Sequence, residues 1–483
     1  MSPPTPTTLS DLSQRAKLHF GTSGARGLVS DMTPEICYAF TQAFLHTVAS
    51  EADSLIIGHD LRPSSPAITA ACIAAIEASG KKSCYCGALP TPALAYYGLR
   101  QQQPVIVITG SHIPFDRNGI KFYRQQGEIT KADERAMLAA KITLPEQLTP
   151  PPLPPLQPDA TTHYLNRYLD CFSDRPLLGK RIALYEHSSV ARELFTQLLQ
   201  QLGAEVISLG RTDTFVPIDT EAVSTEDRQR AKAWAAEHHF DAIISTDGDG
   251  DRPLIGDEQG EWLRGDIVGI LCAIELGATA VATPISSNTA LELCGQFTQI
   301  RRTRIGSPYV IEAMEALQQQ STAEDVIVGY EANGGFLLAT DARLQGRLLS
   351  PLPTRDAILP AIALLITASR QKLSLSALPT QLPPRYTASD RLTNIPTSAS
   401  QRLLQQLQTA PNPLQQLLPD HLATLIEQDS TDGLRLTDSH QEIIHLRPSG
   451  NAPELRCYVE SSTPERAEAL CQRVLQQVAV SIP

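Results

Sequence analysis

Three aspartates alternate with glycines in TDGDGDRP, directly after the apolar run Ala242-Ile243-Ile244-Ser245. Asp247, Asp249 and Asp251 can converge while the small residues let the backbone fold around one cation. Hard oxygen ligands in so tight a cluster suit Mg²⁺, which keeps positions open for water or phosphate oxygens. The competing reading is a solvated acidic turn. It fits poorly, because carboxylates this close repel one another unless a cation or Arg252 offsets their charge. The longer calcium loop of an EF-hand, with its distal glutamate, is missing.

Three further loops repeat the pattern of an apolar strand running into a polar, glycine-bearing turn. Val105-Ile106-Val107-Ile108 leads into TGSHIPFDRNGIKFY, which makes Ser111 a candidate nucleophile at the carboxyl edge of a sheet. His112 and Lys121 are close enough in sequence to share its pocket, and Gly110 and Gly119 permit close backbone approach. Taken alone, a serine after a strand is more often a turn or cap residue than a nucleophile. Val326-Ile327-Val328 leads into GYEANGGF, where Glu331 and Asn333 offer hydrogen-bonding groups suited to adjacent sugar hydroxyls, against the alternative of a plain β-turn. Ile443-Ile444-His445-Leu446 leads into RPSGNAPELRCYVE. There Arg447, Ser449, Asn451 and Arg456 surround Gly450, so guanidinium forks, a hydroxyl, an amide and backbone N–H groups can close on one phosphate; a surface turn with incidental arginines is the bland alternative.

The elements that must position these loops show a weak threefold repeat: an apolar strand, a turn with paired serines, then a helix of about three turns. The copies are Leu55-Ile56-Ile57 with Ser64-Ser65, Ile182-Ala183-Leu184 with Ser188-Ser189, and Val281-Ala282 with Ser286-Ser287. Each pair sits where a helix needs a side-chain oxygen for its first N–H groups. LPEQLTPPPLPPLQPD, with seven prolines, forbids a regular helix and predicts an extended linker. Pro383 and Pro384 mark a second break. The predicted organisation is an α/β fold of three related α/β domains plus a smaller C-terminal α+β domain around a central cleft. The segments are 1–148 with the serine loop, a linker over 149–158, 159–262 with the metal loop, 263–380 with the sugar loop, and 385–483 with the phosphate loop.

Length and composition agree with several soluble domains: 483 residues, 42% hydrophobic and 19% charged. A formal charge of −12 disfavours nucleic acid and anionic membrane as partners, so an anionic substrate needs locally clustered arginine and lysine. Nine cysteines without a CxxC pair predict a reduced, cytoplasmic chain. The apolar stretch from Ala357 to Ser369 is too short to span a bilayer. No GxxxxGK[ST] loop occurs, which disfavours a nucleotide kinase.

In this order the loops resemble those of the α-D-phosphohexomutases, the family of phosphoglucomutase, phosphomannomutase and phosphoglucosamine mutase. FGTSGARG at Phe20 to Gly27 is similar to the N-terminal motif of that family, TGSHIP to its phosphoserine loop, DGDGDR to its metal loop, and EANGG and RPSGNAPELR to its sugar and phosphate loops. The resemblance implies that Ser111 carries the phosphoryl group, with Mg²⁺ held by Asp247, Asp249, Asp251 and a phosphoserine oxygen. Arg26 and Lys121, with His112 beside the nucleophile, would serve proton transfer and charge stabilisation. Arg252, Glu331, Asn333 and Gly334 would contact the substrate, and Arg447, Ser449, Gly450, Asn451 and Arg456 would grip the non-reacting phosphate. It further implies a hexose 1,6-bisphosphate as activator, a small phosphosugar as partner, and a monomer or homodimer. Ile113, Asn333, Gly335, Asn451 and Ser307 depart from the common pattern of the family. GTSGARG resembles the phosphomannomutase and phosphoglucomutase branches more than the GTDGIRG of glucosamine mutases, so phosphomannomutase activity is expected first and phosphoglucomutase activity beside it. A phosphosugar phosphatase and a non-catalytic sensor are the rival readings.

Overall fold

The computed structural model describes residues 6–21, 24–172, 174–449 and 453–481. Its first three sheets share one strand order. In the first, Lys82–Ala88, Ser54–His59, Val105–Ile108 and Arg117–Arg124 lie side by side, the first three parallel and the last antiparallel. Glu205–Leu209, Arg181–Tyr185, Ala242–Thr246 and Pro253–Gly256 repeat that order, as do Gln299–Thr303, Ala280–Pro284, Ile327–Tyr330 and Phe336–Leu338. The threefold repeat therefore extends beyond the strand–serine–helix unit to a whole four-stranded topology. In every copy the chemistry-bearing loop is the turn from the third strand to the antiparallel fourth. The last sheet, from Tyr386–Thr393 to Glu454–Ser461, is wholly antiparallel.

Strand alternation sorts the side chains into layers. Val105 and Val107, Ile182 and Leu184, Ala242 and Ile244, and Val328 and Tyr330 all face one core shared by the three repeats. Their neighbours in sequence face separate outer cores: Ile106 and Ile108 in the first repeat, Ala183 and Ile243 in the second, Ile327 in the third. The helices Thr91–Gln101, Asp159–Leu169, Arg192–Gln201, Gly265–Glu275 and Ile358–Gln371 fill the shared layer. The C-terminal sheet packs its own core with Thr397–Gln408 and Pro464–Ser481. Three repeats are thus joined by a common apolar layer, while the fourth unit is separately packed.

Two local expectations fail. None of the paired serines bonds an N–H inside its helix as a cap, although Ser189 Oγ accepts from the N–H of Ala191, the residue before the helix, at 3.1 Å. Ser65 Oγ instead donates to Asp60 Oδ1 at 2.6 Å, Ser189 Oγ meets Thr246 Oγ1 at 2.6 Å, and Ser287 Oγ accepts from Thr283 Oγ1 at 2.8 Å. Ser189 thus ties two neighbouring strands together, while Ser65 and Ser287 bond back to the end of the strand that precedes them. The third predicted helix is one turn only, Ala290–Leu293, and the chain leaves it through Gly295 in the left-handed region. Among the described residues no single helix is long and apolar enough to cross a membrane, and all nine cysteines are free.

Candidate active site

Ser111 lies at the end of the buried strand Val105–Ile108 with φ +53°, a left-handed conformation that costs a non-glycine residue about 1–2 kcal/mol. Two neighbours hold it there. Its N–H donates to Thr109 Oγ1 at 2.8 Å, and its carbonyl accepts from Arg62 Nη2 at 2.9 Å. The same Arg62 guanidinium donates to the carbonyls of Ile113, Pro114 and Arg117. Arg62 is itself anchored by Asp60, with Nε 3.2 Å from Oδ2, and Thr109 Oγ1 donates to that oxygen. Gly110 must be glycine because a Cβ there would lie 2.6 Å from the Arg62 Cζ. Phe215, from the second repeat, stacks on the guanidinium at 3.9 Å and ties the serine loop to the aspartate loop.

The aspartate loop meets the serine directly. Ser111 Oγ donates to Asp247 Oδ2 at 2.5 Å, and Asp247, Asp249 and Asp251 are buried with one oxygen of each within 4.8 Å of the others. Burial, then Asp249 and Asp251, push the Asp247 carboxyl well above the usual range. Asp251 goes the other way: burial would raise it, but Arg355, Lys121 and Arg252 outweigh that and hold it far down. Lys121 Nζ lies 2.7 Å from Oδ2 of both Asp249 and Asp251, and Thr91 Oγ1 donates to Asp249 at 2.6 Å. Among the described residues the buried Oδ1 atoms of Asp249 and Asp251 accept no hydrogen bond. Three converging carboxylates, two of them with a buried oxygen that accepts no hydrogen bond, are a donor set that fits a hard divalent cation such as Mg²⁺.

Basic groups ring this cluster. Arg26 sits on the strand Ala25–Leu28, paired with Gly119 and so two residues from Lys121 on the adjacent strand. Its Nη2 is buried without a hydrogen-bond partner among the described residues, and burial together with Arg252 and Arg355 lowers the guanidinium to about 10. Arg252 Nη1 is 3.0 Å from His112 Nδ1. Burial, then Arg252 and Arg26, hold the His112 ring well below the usual imidazole range, hence neutral at pH 7.

The sugar loop reaches the cluster through a residue that the sequence did not single out. Arg355 Nη2 donates to Asp251 Oδ2 at 2.9 Å and Nη1 to Glu331 Oε2 at 3.2 Å. Asn333 turns one of its two faces inward: Oδ1 accepts from the Gly335 N–H at 2.9 Å, and its carbonyl accepts from Thr220 Oγ1 at 2.7 Å. Gly334, at φ +88°, packs on Pro253. The phosphate loop stands apart from these three. Arg447 Nε lies 2.9 Å from Asp432 Oδ2, which also accepts from the Ile305 N–H at 2.9 Å. Burial, then Asp219, push the Glu221 carboxyl above its usual range, against the opposing pull of Arg456, Arg264 and Arg252. The Ser449 N–H closes the hairpin on the Glu454 carbonyl at 2.8 Å. Gly450 and Asn451, and Thr22 and Ser23 of the N-terminal motif, lie outside the described residues.

Four models of the phosphoglucomutase/phosphomannomutase family match in series: α/β/α domain I over residues 17–147, domain II over 162–260, domain III over 264–386, and the C-terminal domain over 393–477. The chain belongs to this family. It is 49% identical over 475 residues to a phosphomannomutase of Salmonella muenchen, covering 97% of each chain, and 42% identical to one of Sinorhizobium fredii, covering 93% of this chain and 96% of that. Phosphoglucosamine mutases match at lower identity, 29% for that of Syntrophomonas wolfei over 70% of this chain and 78% of that one. Among solved structures, a putative phosphomannomutase from Thermus thermophilus shares the fold with a TM-score of 0.75 at 19% identity, covering 96% of this chain and 99% of that chain.

Within this family architecture the supporting residues Asp60, Arg62, Thr91, Phe215 and Arg355 escaped the sequence reading. Each acts across a long stretch of chain, as in Thr91 to Asp249. One signal was available. HDLRP and PTRDA each place an acid–base pair against apolar runs, Ser54–His59 in one case and Ile358–Gln371 in the other, and charges so framed are buried only when they are paired.

Proposed function

We propose that this chain is a phosphomannomutase, interconverting mannose 1-phosphate and mannose 6-phosphate through a phosphorylated Ser111 and a hexose 1,6-bisphosphate. The observation that carries the reading is the 2.5 Å contact between Ser111 Oγ and Asp247 inside a buried three-carboxylate cluster. It supports a nucleophile built next to a cation site, which a capping serine does not need. The near full-length phosphomannomutase relatives support mannose over glucosamine.

Asp247, Asp249, Asp251 and the serine oxygen would hold Mg²⁺, which supplies charge neutralisation for phosphoryl transfer. The remaining work falls to the chain. Arg62 and Thr109 fix the Ser111 backbone so that its oxygen stays in line with an incoming hydroxyl. The seryl O–P bond breaks as the bond to the sugar oxygen forms, and Lys121 and Arg26 offer N–H groups to the phosphoryl oxygens. His112, with Nδ1 3.3 Å from Ser111 Oγ, is placed to relay the proton of the incoming hydroxyl to the seryl oxygen as its bond to phosphorus breaks. Glu331 takes hydrogen bonds from the sugar, while Arg447 and Arg456 grip the other phosphate. The bisphosphate then turns over and returns its second phosphate to Ser111. A separately packed C-terminal unit suits a cleft that opens for that turnover.

The test is a coupled assay of the purified protein on mannose 1-phosphate, glucose 1-phosphate and glucosamine 1-phosphate, primed with a hexose bisphosphate. Mannose 1-phosphate should give the highest kcat/KM, with glucose 1-phosphate measurable beside it, and chelation should silence both. Preferred turnover of glucosamine 1-phosphate would reject the substrate assignment. Net release of inorganic phosphate in place of isomerisation would favour a phosphatase.

A further inference from the structure

The buried guanidinium of Arg355 joins two loops from different repeats. It comes from the strand Leu352–Asp356 in the third repeat, donates through Nε and Nη2 to Asp251 Oδ2 at 3.2 and 2.9 Å in the second, and donates through Nη1 to Glu331 Oε2 at 3.2 Å. Both acids are nearly inaccessible to water, so the fork is held in a low-dielectric setting where its geometry is narrowly defined. Beside it, Gly335 has no left-handed φ, yet a Cβ there would lie 2.5 Å from the Arg355 Cδ and 2.8 Å from its Cγ. What mainly obstructs a side chain at 335 is the stem of Arg355.

We propose that Arg355 is a positioning residue that sets the distance between the carboxylate cluster and the sugar loop, and that Gly335 is required because Arg355 occupies its side-chain space. The inference rests on the mutase reading for its catalytic part. An arginine here performs a task that Lys cannot: one planar group addresses two carboxylates in different directions, whereas an ammonium on a flexible stem is a point charge. Because Asp251 belongs to the cluster beside Ser111 and Glu331 to the sugar loop, loss of the fork lets the acceptor hydroxyl drift relative to the phosphoryl group.

The experiment is a double-mutant cycle of Arg355→Ala and Gly335→Ala, with Arg355→Lys alongside, read by kcat and KM on mannose 1-phosphate and by melting temperature. Each single variant should lower kcat about 100-fold, the cost of misplacing a reacting group by an ångström. Gly335→Ala should have little further effect once Arg355 is Ala, because its obstacle is gone. KM should change less than kcat, since the phosphate-gripping arginines are untouched. Additive losses, or wild-type kcat in either Gly335→Ala or Arg355→Lys, would overturn the proposal. If Arg355→Ala does not fold, those last two variants decide it alone. A wild-type protein inert on every hexose phosphate would sink the mutase reading. The melting cycle would still show, by coupling or its absence, whether Arg355 excludes a side chain at 335.

Discussion

Ser111 Oγ lies 2.5 Å from Asp247 Oδ2, so the candidate nucleophile donates its proton to a carboxylate that burial and two neighbouring acids have made unusually basic. Its strained backbone and a hydroxyl directed at Asp247 are what the proposed nucleophilic role requires. Ser111→Ala removes the proposed phosphoryl carrier. Mutase kcat should fall at least about 1,000-fold with an unchanged melting profile. Intact-mass measurement should show a single phosphate on the wild type and none on the variant; retained turnover in the alanine protein would rule out the phosphoserine route.

Arg62 separates catalytic geometry from binding. Its four carbonyl contacts and its pairing with Asp60 shape the serine loop, and among the described residues it bonds to none of the proposed substrate-binding side chains. Arg62→Ala leaves Asp60 as an uncompensated buried charge and should destabilise the fold by about 3–5 kcal/mol, as removal of one partner of a buried pair does. Arg62→Lys restores the charge without the fork. It should stay folded, lose kcat and keep KM, as steady-state kinetics on mannose 1-phosphate would reveal; a parallel rise in KM would count against the separation.

The framework and the loops were legible in the sequence for a physical reason. Val105 to Ile108 and Ala242 to Ser245 are short apolar runs ending in glycine-bearing polar turns, and both a strand and its exit are local properties. Alternation along those runs was hidden, because strands covered on both faces read as continuous apolar segments. Contacts between repeats were not legible. That Thr91 would bond Asp249, or that Arg355 would reach Asp251, depends on groups that only the folded chain brings within reach. Arg355 went unnoticed for the same reason.

His187 supplies a pH dependence outside the reacting cluster. It is fully buried with Nε2 2.9 Å from the Thr246 carbonyl, and burial lowers its ring to about 4 although that hydrogen bond raises it. The unfolded chain has an ordinary histidine near 6.5, so between these values the unfolded state binds the extra proton. Stability from this group is therefore full above about pH 6.5 and lost as pH falls towards 4, by roughly 3 kcal/mol in all. Chemical denaturation of wild type and His187→Gln at several pH values should show the variant losing less stability over that window. Equal slopes for the two proteins would remove His187 as the source.

Arg447 tests the phosphate grip. Its guanidinium already faces an anion, Asp432, at 2.9 Å, so a phosphate entering the loop meets a donor that is oriented in advance. Arg447→Ala should raise KM about 10- to 100-fold, the range expected for loss of a charge-assisted hydrogen bond of about 1.5–3 kcal/mol. Its effect on the single-turnover transfer from phosphoserine at saturating sugar should be small. An unchanged KM would take Arg447 out of the phosphate site.

Sugar selectivity depends on where Glu331 can reach. Its backbone is fixed by the turn to Gly335, with the Glu331 N–H donating to the Gly335 carbonyl at 3.0 Å, and one carboxylate oxygen is engaged by Arg355. Under the proposed function the other oxygen serves a ring hydroxyl pair. Mannose and glucose differ only at the 2-hydroxyl, so an acceptor serving the 3- and 4-hydroxyls treats them alike. Glu331→Gln keeps the shape but turns an ionic acceptor into a neutral amide, weakening each bond to a hydroxyl. It should therefore lower kcat/KM for mannose 1-phosphate and glucose 1-phosphate by the same factor, leaving their ratio where the wild type has it. Parallel kinetics on the two sugars measure this directly. A ratio that shifts several-fold would mean that Glu331 reads the 2-hydroxyl itself, and selectivity between the two sugars would then reside in this one carboxylate.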